Sequence, residues 1–435
     1  MRLKSEKRRG IVAVLVAVSL VAILGVVAIA LDGGLLLDNR RSVQAGADAA
    51  ALAAAEDFYA NWSTNQGLDL SGTARASALS TAKTNGYAND GTTSVVTVNL
   101  PPKNYLDGPN KGKPLPAGYA EVIIRYNQKR GFSSIFGSGD LPVGGRAVAR
   151  GMRKASGIGV LLLNPTLSGS LTISGSAGMK ADGSVIVDSS SSTAASASGG
   201  AGLNSSEMDI TGKDSSSGSS YFHTSPGSID TGVAATADFL TDVPVPDPTK
   251  IDDQGNPGTM TTRSTSSYKP TSGQTIQPGL YIGGISISSQ PNITFAPGIY
   301  YLQGGGLTMS GGSSSFTATG VMIYNGVSSA GATGSITVSG GGTVVQSPPT
   351  SGAYYGMSIF QDRSSTQKVT LSGGSGWNFT GTVYAASAHI DVSGGSGATM
   401  GSQFVADTMT LSGSSTFNDI DPSKGYRPRD IRLTE

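Results

Sequence analysis

Cysteine is absent from the 435 residues. That excludes a disulfide scaffold, a thiolate nucleophile and cysteine-ligated zinc or iron–sulfur sites. Histidine occurs only as His223 and His389, and neither has a neighbour at metal-ligand or catalytic spacing. Charge is scarce at 14%, against about 25% in an ordinary soluble domain. The 30 Lys+Arg and 29 Asp+Glu leave a net charge of +1, so bulk electrostatics gives no case for a nucleic-acid partner. A G-x-x-x-x-G-K-S/T phosphate loop, a dinucleotide fingerprint and the calcium-binding G-G-x-G-x-D repeat are also missing. What is plentiful is glycine, 62 of 435 residues. At a cost of about 1 kcal/mol per helical position, it excludes a mostly helical chain.

The one long hydrophobic run is residues 11–31, 21 residues without a charge. At 1.5 Å per residue it spans the ~30 Å hydrocarbon layer. Arg2, Lys4, Lys7, Arg8 and Arg9 precede it against a single Glu6. The positive-inside rule keeps that end cytoplasmic and exports the chain beyond Asp32. Ala28-Ile29-Ala30 offers a competing signal-peptide cleavage site. The apolar run exceeds the ~7–15 residues of a signal h-region, which favours a retained anchor. Beyond the run, Val43, Ala47, Ala50, Ala54 and Phe58 fall on one helical face, and Gly33-Gly34 predicts a loosened joint before it. A second helix is expected around 73–85, then strands at 94–100, 120–126 and 143–150.

This layout is that of a pilin-like module, and its residues narrow it further. The run Arg8-Arg9-Gly10, the apolar helix, Leu31-Asp32-Gly33, Arg40-Arg41, Gln44-Ala45 and Ala47–Ala53 resemble the N-terminal segment of tight-adherence (Flp) pilus-assembly proteins of the TadE/TadG type. The resemblance covers about residues 8–60 and implies a membrane-anchored envelope protein. Type IV-like prepilins carry Glu five residues after the cleaved glycine. Counted from Gly10 that position is Leu15, which favours an anchored assembly factor over a polymerised pilin.

From about residue 158 the chain repeats an apolar–polar–apolar–Ser/Thr–Gly unit. It recurs at 171–175, 208–212, 307–311, 336–340, 369–373, 390–394 and 409–413. A second unit, more continuously apolar, stands at 159–164, 320–325, 356–361, 381–386 and 402–407. Short strands with Gly/Ser turns repeating near every 20 residues predict a parallel β-helix (β-solenoid) with alternate side chains filling the tube. Insertions are expected near 312–319, 327–334 and 346–355. For the serine-rich 188–206 the solenoid and flexible low complexity stay open as alternatives. Five prolines in 241–277 predict a linker or excursion, because proline cannot sit in a central strand. The tail 421–435 holds seven charges and is expected to cap the last coil.

Chemistry is harder to find. The Asn-Thr-Asp, Gly-His-Gly and Arg-Ile-Lys motifs of galacturonan hydrolases are absent, and the one Asp-Asp, Asp252-Asp253, lies in the proline-rich stretch. Asp362, Asp391 and Asp407 are candidates for carboxylates aligned across coils, with turn and surface roles preferred. Asp188-x-Ser190-x-Ser192 matches the opening of a metal-ion-dependent adhesion site, but no amphipathic helix of that fold comes after it.

The expected fold is mainly β: a transmembrane helix, a small pilin-like α+β module and a parallel β-helix. The expected segments are 1–10 cytoplasmic, 11–31 transmembrane, 32–155 pilin-like, 156–240 first solenoid portion, 241–277 linker, 278–420 main solenoid and 421–435 tail. No catalytic, cofactor-binding or metal-ligating residue is assigned, and no enzyme activity is expected. Expected partners are the lipid bilayer through residues 11–31, other pilus-assembly or envelope proteins, and surface polysaccharide. The expected location is the bacterial inner membrane. A carbohydrate-binding or carbohydrate-cleaving β-helix and a cation-dependent adhesin are the alternatives.

Overall fold

The structure, a computed structural model, describes residues 8–104, 111–135, 137–154, 156–374, 376–394, 399–413 and 416–434. The chain divides into two compact units, Met1–Arg153 with Arg429–Glu435, and Lys154–Pro428.

In the first unit, α1 (Arg8–Ala60) is one helix of 53 residues, about 80 Å long at 1.5 Å per residue. The expected joint at Gly33-Gly34 is not there. A penalty of about 1 kcal/mol per glycine is small beside the helix formers on either side, and the helix runs through. Its first half is largely exposed and apolar from Val12 to Leu31. Its second half is core: Val43, Ala47, Ala50, Ala51, Ala54 and Ala55 are fully buried. They pack against Ala74, Ala78 and Ala82 of α2 (Thr73–Thr84) and against an antiparallel sheet. That sheet has the order β1 (Ser94–Asn99), β2 (Tyr119–Gln128), β3 (Leu141–Arg153) and β4 (Arg429–Leu433).

Small residues on both sides let helix and sheet approach closely. A Cβ at Gly145 would sit 2.9 Å from the Val43 carbonyl oxygen, and one at Gly151 would overlap the Ala55 carbonyl. Gln44 closes the contact reciprocally: its Nε2 donates to Arg146 O at 2.8 Å, and Arg146 N donates to its Oε1 at 3.2 Å. The C-terminal residues do not cap the solenoid as expected. Gly151 pairs with Ile431, Arg150 forms an ion pair with Asp430, and Arg429 pairs with Glu56 and lies over the Tyr59 ring at 5.7 Å. The strand Gln403–Gly413 that precedes the tail lies between Thr382–Gly394 and Ile158–Leu162, so the tail leaves from the middle of the stack and not from an end.

The second unit is a solenoid of three parallel ladders. In the second ladder Leu307, Ile336, Val369, Ile390, Met409 and Leu171 stack in register and are all fully buried. Fully burying each such side chain contributes about 1.5–3 kcal/mol. One residue on, Thr308, Thr337, Thr370, Asp391, Thr410 and Thr172 form the outward row. Gly175 (φ 77°) and Gly311 (φ 97°) turn the corners after this ladder, in a backbone region closed to most side chains. Of the seven repeat units, Met208–Ile210 departs: it pairs with Val185–Val187 and Ile229–Thr231 in the first ladder. The third ladder, including Phe316–Ala318, Val344–Gln346 and Trp377–Phe379, has no repeat signal of its own. It absorbs the insertion expected at 312–319, while 327–335 and 347–356 are loops between strands. Residues 188–206 are ordered, with strands at Ala195–Ala197 and Gly202–Ser205.

The coils do not stack in sequence order. The first ladder starts at Thr262–Ser264 and climbs through Gly279–Ile282 to the strand Gln403–Gly413. The next strand in space is Ile158–Leu162, where Phe404 pairs with Val160. The ladder then runs on to Ile229–Thr231, giving eleven strands among the described residues. The two solenoid portions separated in sequence by 241–277 are therefore one continuous stack. Gln403, fully buried, holds the seam: Nε2 donates to Ile158 O and Ser156 Oγ, both at 2.9 Å, and Oε1 accepts from Thr382 Oγ1 at 2.9 Å.

The proline-rich segment is neither a free linker nor wholly outside the solenoid. Thr262–Ser264 and Thr275–Ile276 are already coil strands. Residues 232–261 return from one end of the stack to the other and bury Leu240, Val243 and Met260 against the outer side of the first ladder. Beneath them the rings of Tyr301, Tyr324, Phe360 and Tyr384 form a row of tilted and edge-on contacts at centroid distances of 4.8, 5.2 and 5.2 Å. Arg363 lies over the last two rings and donates through Nη2 to Leu240 O (2.9 Å) and Val243 O (2.8 Å). Burial on both faces explains why the first-ladder units are continuously apolar where the second-ladder units alternate.

Candidate functional site

The residues singled out in the sequence have hydrogen-bond or ion-pair partners within the fold. Asp188 is 6% exposed, and its Oδ1 accepts from Thr236 N at 2.8 Å. Ser190 donates to Pro165 O at 3.0 Å. Burial pushes the Asp188 carboxyl above the usual carboxylate range, and the Thr236 amide opposes this. At neutral pH the fold therefore bears the cost of a buried charge. The native state takes up a proton before the unfolded chain as pH falls, and below about pH 4 both states are protonated. Asp188→Asn keeps an acceptor for Thr236 and removes the charge. The variant is expected to melt higher than the parent at pH 7, with the gap closing toward pH 4. Thermal melts across that range check this.

The aspartates expected to align across coils have separate partners. Asp362 accepts from Tyr324 OH at 2.8 Å and Ser364 N at 3.0 Å. Asp391 pairs with Lys368, and Asp407 accepts from Asn164 Nδ2 at 3.0 Å. Asp253 ties the excursion down, accepting from Thr261 N and Arg263 Nη2, both at 2.8 Å. His389 Nδ1 lies 2.8 Å from Thr408 Oγ1, and burial lowers its pKa, with Asp391 opposing. Among the described residues Glu207, Asp209 and Asp230 are the trio whose oxygens lie within 4.8 Å of one another. Burial first, then the charges of Glu207 and Asp230, raise the Asp209 pKa. Parallel register puts Asp209 beside Asp230, and Glu207 comes just before the same strand.

Among the described residues, a concavity lies on the third ladder near the Ile229–Thr231 end. It is an open groove of about 670 Å³ lined by Lys180, Asn204, Tyr221 and His223 among others. The strands Gly178–Ala181, Gly202–Ser205 and Tyr221–Thr224 pair in parallel, putting Lys180, Asn204 and His223 in one row. Gly178, Gly202 and Tyr221 form a second row. Gly202 is the floor: a side chain there would collide with the Tyr221 ring. The ring is held across the glycine with 47% of the residue exposed. Met179 and Leu203 on the alternate positions are buried in the tube. A flat aromatic beside a row of neutral and basic hydrogen-bonding groups can stack on an apolar ring face and bond its hydroxyls. Of these residues only His223 stands out in the sequence, because the third ladder lacks the repeat signature. The paired glycines 178 and 202, 24 residues apart, were the one available cue.

Comparison with known proteins adds one match. Residues 10–57 fit the Tad family model, described as Flp pilus-assembly TadE/G-like. No curated protein and no solved structure matches the chain. The matched segment lies within α1 and covers both the exposed apolar half and the alanine face buried in the first unit.

Proposed function

We propose, from the TadE/G-like domain at residues 10–57, that this protein serves Flp pilus assembly from the inner membrane. The basic N-terminus lies in the cytoplasm and the solenoid outside, as a rigid, non-enzymatic contact element. One observation carries this reading: the matched segment is a helix whose first half is exposed and apolar while its second half is the core of a folded unit. Such a helix anchors a domain directly above a bilayer. The hydrogen bonds that occupy Asp188, Asp362, Asp407 and His389 support a scaffold role over hydrolysis.

The test is complementation of a gene deletion in the host bacterium. Lys154 N lies 3.4 Å from Pro428 O, so residues 154–428 can be replaced by a short linker that leaves β3 and β4 to pair. The full chain is expected to restore pilus number and surface attachment, and the form without the solenoid to lose attachment. A deletion that leaves both unchanged overturns the proposal.

The Tyr221 groove favours a second reading, binding of a surface polysaccharide. On a glycan array, Tyr221→Ala is expected to weaken any bound neutral glycan about tenfold, a change of ~1.4 kcal/mol. Absence of glycan binding by the unaltered chain overturns this reading.

A further inference from the structure

The hairpin between β2 and β3 ends beside the point where α1 becomes polar. Val12–Leu31 is 20 residues, about 30 Å of helix, the thickness of the hydrocarbon layer. Asp32 comes next, and it is 6% exposed on a helix whose apolar neighbours Ile29, Leu31 and Leu35 are 71%, 46% and 52% exposed. What covers it is the hairpin tip. Phe132 N donates to Asp32 Oδ1 at 3.1 Å, and a Cβ at Gly131 would stand 2.7 Å from the same oxygen. The tip is fixed in direction as well as position. Along β3, Gly151 sits on Ala55 and Gly145 on Val43, so the hairpin points down the helix toward Asp32.

Held there, the tip presents Phe132, 57% exposed, with Lys129 exposed and Arg130 half-buried beside it. Arg130 Nε donates to Gly139 O at 2.9 Å, which braces the loop. An exposed aromatic flanked by two cations fits the boundary of a bilayer, where aromatic rings settle at headgroup depth and cations meet phosphates. Solvent water would leave the ring unburied, and the apolar surface of α1 continues past it to Leu35 and Leu37.

We propose that the β2–β3 hairpin tip is a second membrane contact, with Phe132 seated in the outer headgroup layer and Lys129 and Arg130 against lipid phosphates. The contact sets the height and tilt of the first unit on the bilayer. It rests on the assignment of α1 as a membrane anchor.

The absence of cysteine makes the test clean. Single nitroxide labels are placed on Phe132→Cys, Leu24→Cys and Ser71→Cys in the full chain, in vesicles of phosphatidylethanolamine and phosphatidylglycerol. Ser71 is exposed and sits at the level of Asp57 through Thr73, roughly 38 Å along the helix from Asp32. Accessibility to oxygen relative to a water-soluble nickel chelate reads depth. The expected ratio at 132 is above that at 71 and below that at 24. A ratio at 132 equal to that at 71, with 24 deep in the bilayer, overturns the proposal and leaves the anchor standing. Aqueous values at both 24 and 132 overturn the anchor and the proposal together.

Discussion

Gly151→Val is expected to destabilise the first unit strongly while leaving the solenoid intact. The Cβ of any side chain there overlaps the carbonyl group of Ala55. That obstacle is backbone inside a helix and cannot rotate away. Overpacking a core typically costs about 1–3 kcal/mol, and a rigid partner puts Gly151→Val at or above the upper end. Against the ~5–15 kcal/mol of a whole domain, this removes a large share of the unit's stability. Amide exchange on the full chain in micelles is the check. Protection should fall in α2 and in β1–β3 and persist in the ladders. Gly34→Ala is the control. A Cβ there meets nothing within 4 Å, so the helix should gain up to about 1 kcal/mol. Unchanged protection in Gly151→Val would mean that helix and sheet are not in contact at this point.

Ending the chain at Ser402 is expected to break the solenoid into two unequal parts. The strand Gln403–Gly413 links Thr382–Gly394 on one side to Ile158–Leu162 on the other. Without it Gln403 no longer bonds Ile158 O and Ser156 Oγ, and β4 is lost from the first unit. Stacked coils are stabilised by their nearest neighbours. The stretch 158–231 keeps four first-ladder strands and a new open end. It should become the preferred site of proteolysis, with a separate low-temperature melting step, while 262–394 stays resistant. A single melting transition at the parent temperature would show that the seam contributes nothing.

Much of this fold was legible in the sequence, for identifiable reasons. The spacing of Val43, Ala47, Ala50, Ala54 and Phe58 gave the buried face of α1, because helical periodicity is a local property. The alternation in 307–311 and 369–373 marked the second ladder in the same way. The order of the coils was not legible. Parallel stacking puts the same demand on every coil, so nothing in Leu171–Ile173 says that its neighbour is Met409–Leu411. Met208–Ile210 shows the same limit, since a second-ladder pattern there occupies the first ladder. The excursion left a trace in the continuous apolar runs at 320–325 and 381–386, whose outer residues Tyr324 and Tyr384 need a cover. The groove left almost none, since its defining Tyr221 lies on a ladder without a repeating sequence.

The permuted order of the coils sets a timetable. Gln403 and Ile158 are 245 residues apart in the chain, and Arg150 and Asp430 are 280 apart. At roughly 5–20 residues per second of synthesis, the first of these pairs waits about 12–50 s for its second member. Through that interval β3 and the coil beginning at Ile158 each present an unpaired strand edge, the kind of surface that recruits foreign strands. A longer solenoid would lengthen the exposure in proportion. Each added coil would therefore lengthen the time for which an open edge needs cover.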